Sequence, residues 1–431
     1  MAEYSEPTGV KFILRALRSR NYRLFFAGNG ISIIGTWMQR IALGWLVYRI
    51  TGSALMLGIV SFSGLIPSLL LTPVAGVWAD RLNRRYILVV TQSLAMLQAF
   101  AMAALFFTKV IDVYQIIALS LFAGVYSAFD APTRQSFVVE MVGRKEDLSN
   151  AIALNSSLFN GARLIGPSLA GLIILISNEG VCFLVNGVTY VAVIAALLAM
   201  RTTAARPESR KKRVLKELRE GLNYAARSMP IRTVLLMICV VSFFGMSYTV
   251  VMPVIARDVL GGQSDTLGFL MGAGGVGALA GAYYLASRRT VVGLEKVISF
   301  ASVAFGVGLV AFSFSRTLAS SLVFMVIVGS GMMVQMASSN TFLQSVVDDD
   351  KRGRIMGLYT AAFFGIGPFG SLTAGAMAHW LGAPRTLLLY GIISVVSGFL
   401  FFLITPKIRA EVSPVYLRNG LLTGQETAAI R

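Results

Sequence analysis

The sequence predicts an all-α membrane protein of about twelve transmembrane helices arranged as two pseudo-symmetric six-helix bundles. Three observations carry this reading. The apolar set makes up 56% of the 431 residues and the charged set 13%, against roughly 45–50% and 25% in soluble domains. The apolar residues fall in about twelve separate runs, each close to the 20 residues a helix needs to cross hydrocarbon. A basic stretch divides these runs six from six, and one Gly-Pro pattern occurs in both halves. The same composition, with a mean hydropathy of +0.72, excludes an ordinary soluble enzyme and a disordered chain. A disulfide scaffold is excluded as well, because Cys182 and Cys239 both lie inside apolar runs.

In chain order the expected spans are Tyr22–Tyr48, Ala54–Ala79, Ile87–Thr108, Val113–Ser136, Asn150–Ser177, Gly180–Met200, Thr233–Ala256, Leu267–Ser287, Val297–Ser315, Ala319–Phe342, Ile355–Leu381 and Leu387–Thr405. Met1–Arg23 is long and basic, and the first apolar run carries no small-residue cleavage pattern before the next span, so the beginning does not read as a cleaved signal. The net charge of +18 sits in short stretches between these runs; a nucleic-acid binder would instead spread a basic stripe over a folded surface, so no nucleic-acid partner is expected. With the N-terminus inside, roughly 31 of the 38 Lys and Arg collect on one side and about 5 on the other. That asymmetry puts both termini in the cytoplasm and requires an even number of spans.

Residues 1–200 form the first expected bundle, 201–232 a cytoplasmic basic linker, 233–406 the second bundle and 407–431 a cytoplasmic tail. In the linker, Arg210, Lys211, Lys212, Arg213, Lys216 and Arg219 crowd together, while Val214, Leu218, Leu222 and Ala225 recur at helical spacing. This pattern predicts an amphipathic helix on the inner leaflet, or more simply a solvated linker held near anionic lipid by its charge. The halves echo each other at Gly161–Gly171 and Gly365–Gly375, where Gly166-Pro167 and Gly367-Pro368 stand among small residues. Small residues let helices approach and a Gly-Pro permits bending, so these four are gating candidates beside the alternative of plain close packing.

Between the second and third spans stands Gly76-Val77-Trp78-Ala79-Asp80-Arg81-Leu82-Asn83-Arg84-Arg85. It resembles the signature loop of the major facilitator superfamily, G-x-x-x-D-R-x-G-R-R/K, with Asn83 in place of the second Gly; Asn can take the left-handed turn Gly usually supplies. The resemblance extends to Asn21–Phe25, Gly35–Val47, Asp130–Gln135, the Arg163 to Pro167 span and Lys351–Met356. Together these motifs identify the bacterial branch called transmembrane secretion effectors, which includes enterobactin and macrolide exporters. The resemblance implies the major facilitator fold and a latch between the halves built on Gly76, Asp80, Arg81 and Arg84. In that arrangement Asp80 meets the N-terminus of the span near Ile355, and Arg84 pairs with Asp130.

Ionisable groups inside spans are costly and usually face a cavity or a partner. Arg40 and Arg163 are the two that stand out, with Gln39, Tyr126, Asn155, Asn160, Tyr248 and Gln335 as further candidates for the cavity lining, and Met332, Met333 and Met336 as an adaptable apolar wall. Snorkelling of Arg40 and interhelical hydrogen bonding of Arg163 are the plainer alternatives. Asp112, Glu179, Asp258 and Asp265 fall at expected outer ends, Asp80 and Asp130 at inner ends, and none at mid-depth. Asp130 is therefore the best carrier for a coupling proton, with a conformational ion pair as its simpler role. His379 reads as an interface residue.

No phosphate-binding Walker loop, catalytic residue set or metal-spaced cluster is present in the sequence, so neither an enzyme nor a metal or cofactor site is expected. The glycine run Gly272–Gly281 lies in an apolar span and reads as helix packing. The expected activity is secondary transport, with export of a small amphipathic molecule across a bacterial inner membrane by alternating access. The substrate and the bilayer are the partners, and a monomer is the expected state. An importer, or a non-transporting scaffold acting through 201–232, are the competing readings.

Overall fold

The computed structural model describes residues 14–201, 214–288 and 290–418. Within these it is almost wholly helical, in the order α1 (Arg20–Thr51), α2 (Ala54–Arg81), α3 (Arg84–Phe107), α4 (Val113–Met141), α5 (Leu148–Ile176), α6 (Glu179–Ala199), α7 (Val214–Arg227), α8 (Met229–Val259), α9 (Ser264–Ala286), α10 (Leu294–Phe314), α11 (Leu318–Val346), α12 (Asp349–Leu381) and α13 (Ala383–Arg418). Eleven of these helices are long and apolar enough to cross a membrane. The helix that would make twelve is α1, long enough at 32 residues but held below that apolarity by Gln39 and Arg40.

Short polar caps start several spans. Asp112 and Gln115 form a reciprocal capping box on α4, Asn178 caps α6 and Thr317 caps α11. Asn83 does the same for α3, accepting from the Tyr86 N–H at φ −64°. The left-handed turn expected there is thus replaced by an extended N-cap, a role in which the Asn side chain is useful and a Gly would have none.

The chain divides into two compact units, Met1–Leu46 with Ser63–Arg210, and Val47–Phe62 with Lys211–Arg431. In the first, α3 packs on α4 and α6. Gly187 and Gly180 of α6 lie under the rings of Phe100 and Phe106, and Gly28 of α1 meets the Ala192 carbonyl of α6. Lipid tails give helices no hydrophobic reason to associate, so close backbone approach at such small residues carries the packing.

In the second unit α10 packs on α11 and α13, and α11 on α9. Gly306 and Gly391 face each other's carbonyls across α10 and α13, and Gly329 of α11 stands against the Gly274 carbonyl of α9. The α8 segment is irregular: an α-helical start to Val240 gives way to π turns at Val241–Gly245 and Ile255–Val259 around a 310 stretch at Met246–Val251. Pro253 explains part of this, since it has no N–H for the Thr249 carbonyl, which accepts from Met252 instead.

The hairpin Val47–Phe62, in the first half by sequence, packs with the second unit. A Cβ on Gly58 would fall 2.9 Å from the Ser371 carbonyl, and Phe62 meets Phe369 edge-on at 5.9 Å. The last helix also runs past the expected end of the bundle at 406, through Pro406 and Pro414 to Arg418. Ile408, Val412 and Tyr416, spaced for one helical face, are buried there and continue the core where a tail was expected.

The linker helix α7 forms at the expected place, and its small face meets protein. Ala225 is buried with Ile355 and Leu358 of α12, and Gly221 lies against Arg354. Glu220 pairs with Arg354 at 3.0 Å, and Tyr224 donates to Asp348 at 3.1 Å. The basic cluster from Arg210 to Arg213 lies outside the described residues, as does the Lys216 side chain.

Candidate functional site

The polar residues of the first unit converge on one face of α1. Thr36, Gln39 and Arg40 are three and four positions apart, so they share that face. The Thr36 hydroxyl bonds the Tyr190 hydroxyl of α6 at 3.2 Å. Gln39 donates to Gln98 of α3 at 2.8 Å and accepts from Asn186 of α6 at 2.7 Å, so both ends of its amide are engaged. Gly35 makes this possible, because a Cβ there would lie 2.6 Å from the Asn186 oxygen. Gln39 is thus a strut that ties α1 to α3 and α6.

Arg40 projects beside that strut. Its guanidinium carbon lies 4.7 Å from the centroid of the Trp37 ring, a cation–π contact. Trp37 in turn meets Phe159 of α5 edge-on at 5.7 Å, and Gly166 of α5 is pressed against the Trp37 Cβ. Arg163 stands on α5 between Phe159 and Gly166. Charge interactions reach Arg40 from Arg163 on α5, Tyr126 on α4 and Tyr190 on α6. Arg40, Arg163 and Tyr126 are therefore brought together, and the side chain of Arg40 is exposed while ringed by four helices of its own unit.

A second polar centre lies on α4. Asp130 accepts from Thr91 at 3.0 Å, from Gln92 at 2.6 Å and from Arg134 through both Nε (3.0 Å) and Nη2 (2.5 Å), while Arg134 also donates to Asn29 of α1. The expected pairing of Arg84 with Asp130 is not the one formed: Arg84 pairs with Glu140, two to three turns along the same helix. Asn155 accepts from Tyr22 at 3.1 Å and Asn160 donates to Ser156 of its own helix at 2.9 Å. Arg81 is exposed, Gly76 has open space around its missing Cβ, and the Asp80 side chain lies outside the described residues.

The remaining candidates belong to the second unit. Tyr248 is 1% exposed in the irregular part of α8, tilted against Phe305 at 6.2 Å. Gln335 is equally buried and donates to Ser339 at 3.4 Å. Pro368 is buried within α12, and the tight contact beside it is made by Gly370, against the Phe243 carbonyl, rather than by Gly367. Met332 is buried in α11, and Met336 packs on the core below it.

Several residues of the site were not singled out by sequence. Gln98, Asn186 and Tyr190 sit in the middle of otherwise apolar spans, a signal that was available. Glu140 and Glu295 were not: Glu295, 2% exposed at the start of α10 with Arg409 at 4.0 Å, reads along the chain as one more loop charge.

Comparison with known proteins places this geometry. The model of the transmembrane secretion effector family matches residues 13–416. The chain is 26% identical over 395 residues to the staphyloferrin A transporter of Staphylococcus aureus, covering 90% of this chain and 98% of the relative. It is 27% identical over 384 residues to the multidrug efflux pump Tap of Mycolicibacterium fortuitum, covering 86% and 92%. Among solved structures, a bacterial homologue of the human lysosomal transporter Spinster shares the fold with a TM-score of 0.69 at 13% identity, over 94% of this chain and 99% of that one. The chain belongs to the transmembrane secretion effector family of major facilitator superfamily transporters.

Proposed function

We propose that the chain is a secondary transporter that exports a small amphipathic molecule across the bacterial inner membrane by alternating access, driven by an ion gradient, with both termini in the cytoplasm. The observation that carries this reading is the placement of Arg40. An arginine inside a membrane bundle is costly, and one that is exposed yet ringed by α1, α4, α5 and α6 has the surroundings of a solute path rather than of a packing contact. Relatives named as an efflux pump and a siderophore transporter support the same class of cargo.

In this reading Gln39, Arg40, Tyr126, Asn155, Asn160 and Arg163 line the path in the first unit; Tyr248 and Gln335 are the lining candidates within the second. Gly166-Pro167 and Gly367-Pro368 are the bending points, and Gly76, Asp80, Arg81 and Arg84 the latch. Asp130, already held by Arg134, acts through that ion pair in one conformation. The test is transport in oriented vesicles, with a siderophore, a macrolide and a cationic dye as cargo. Energised inside-out vesicles are expected to accumulate at least one of them and right-side-out vesicles to exclude it, with Asp80→Asn lowering the rate at unchanged protein level. Accumulation by right-side-out vesicles would establish import, and a fully active Asp80→Asn protein would remove the latch.

A further inference from the structure

We propose that Arg40, Arg163 and Trp37 form a binding site for the anionic head of an aromatic organic acid, a substrate class that rests on the transporter reading and sharpens it. The geometry centres on one indole. The Arg40 guanidinium lies over the Trp37 ring at 4.7 Å, Phe159 meets the ring edge at 5.7 Å, and Gly166 closes on its Cβ. Arg163 is about one helical turn from both Phe159 and Gly166 on α5, the two residues that touch Trp37. The charge interaction between Arg163 and Arg40 agrees with that placement.

Among the described residues no carboxylate pairs with Arg40; of the groups around it Arg163 carries a like charge, and Tyr126 and Tyr190 are neutral phenols. The nearby carboxylate, Asp130, is occupied by Thr91, Gln92 and Arg134. A bound carboxylate or sulfonate offsets the like charge of Arg163 on Arg40 while accepting hydrogen bonds from a planar guanidinium fork. A cation meets the opposite situation.

The wall beside the charges decides the rest of the ligand. Trp37, Phe159 and Tyr126, the last with Phe122 at 5.8 Å, offer ring faces and edges on three helices. Aromatic pairs of this kind add to plain burial, so a ring attached to the acid gains where a small inorganic anion does not. Gln39 is a positioning residue: its amide is spent on Gln98 and Asn186, which fixes the face of α1 from which Arg40 projects.

The experiment uses the full chain in lipid nanodiscs and measures binding directly by calorimetry, with 2-naphthoate, 2-naphthylmethylammonium and acetate as probes. The naphthoate is expected to bind at least tenfold tighter than either of the others. Arg40→Gln and Arg163→Gln should each weaken it about tenfold, and Trp37→Leu severalfold. Equal binding of the naphthoate and the ammonium probe would overturn the proposal, as would Arg variants that bind normally. Acetate binding as tightly as the naphthoate would overturn the aromatic part. If the Arg variants do not fold, the wild-type protein still decides, because affinity must fall as acid protonates the naphthoate, whereas a site that is only apolar takes the neutral acid better and its affinity must rise. Transport failing while binding persists would count against export alone, and efflux without naphthoate binding against this site alone.

Discussion

Asp130 shows how much of a membrane protein rests on single carboxylates. Its oxygens accept from Thr91, Gln92 and two nitrogens of Arg134, which joins α3 and α4 and, through Asn29, reaches α1. The pair is half-buried, so taking away Arg134 strands a carboxylate that water partly reaches, at about 2 kcal/mol, whereas deleting one neutral donor costs about 1 kcal/mol. Arg134→Leu is therefore expected to lower the thermal unfolding midpoint in detergent more than Thr91→Val, and equal shifts would show that the carboxylate is well solvated. The sequence placed Asp130 and Arg84 among the residues that matter but mispaired them. Asp130 and Glu140 both lie on α4, and which of two carboxylates on one helix an Arg on its neighbour reaches depends on helix rotation, which no local pattern encodes.

At the level of helices, apolar run length was enough to locate the eleven described helices that are long and apolar enough to span. What it could not supply was neighbour identity. Gln98, Asn186 and Tyr190 form the surroundings of Gln39 and Thr36 only because α3 and α6 lie against α1, and those contacts join positions 59 to 154 residues apart. The glycine run of α9 was correctly read as packing: Gly277 stands against the Val326 carbonyl, and Gly329 returns the contact at Gly274. Gly329→Ala is expected to push α9 and α11 apart and cut the yield of folded protein on size-exclusion chromatography. Gly353→Ala, with open space around its missing Cβ, should leave the yield unchanged.

For the whole molecule, the composition that first marked the chain as membrane-bound also separates anchoring charges from those that tie elements together. The linker helix α7 belongs to the second kind, through Glu220 to Arg354 and through Tyr224 to Asp348, which Arg418 also reaches at 2.8 Å. Hydrogen bonds from Arg418 and Tyr224 hold the Asp348 carboxyl below its ordinary value. Because the folded value is the lower one, the tie is at full strength above the ordinary carboxylate pKa of about 3.9 and is lost as pH falls through the folded value. Pepsin nicking within α7 is therefore expected to rise steeply only below about pH 4, and Asp348→Asn should show the same nicking at a pH where the native protein resists. Nicking that does not change with pH in either protein would show that the helix is held by Ala225 and its apolar neighbours alone. The hairpin Val47–Phe62 brings in the clock of synthesis. Its partners in α12, from Phe369 to Gly375, leave the ribosome roughly three hundred residues after it, which at about 5–20 residues per second is an interval of about 15 s to a minute. For that long the Gly58 face lacks the α12 residues it packs against, so a truncation late in translation leaves that face uncovered.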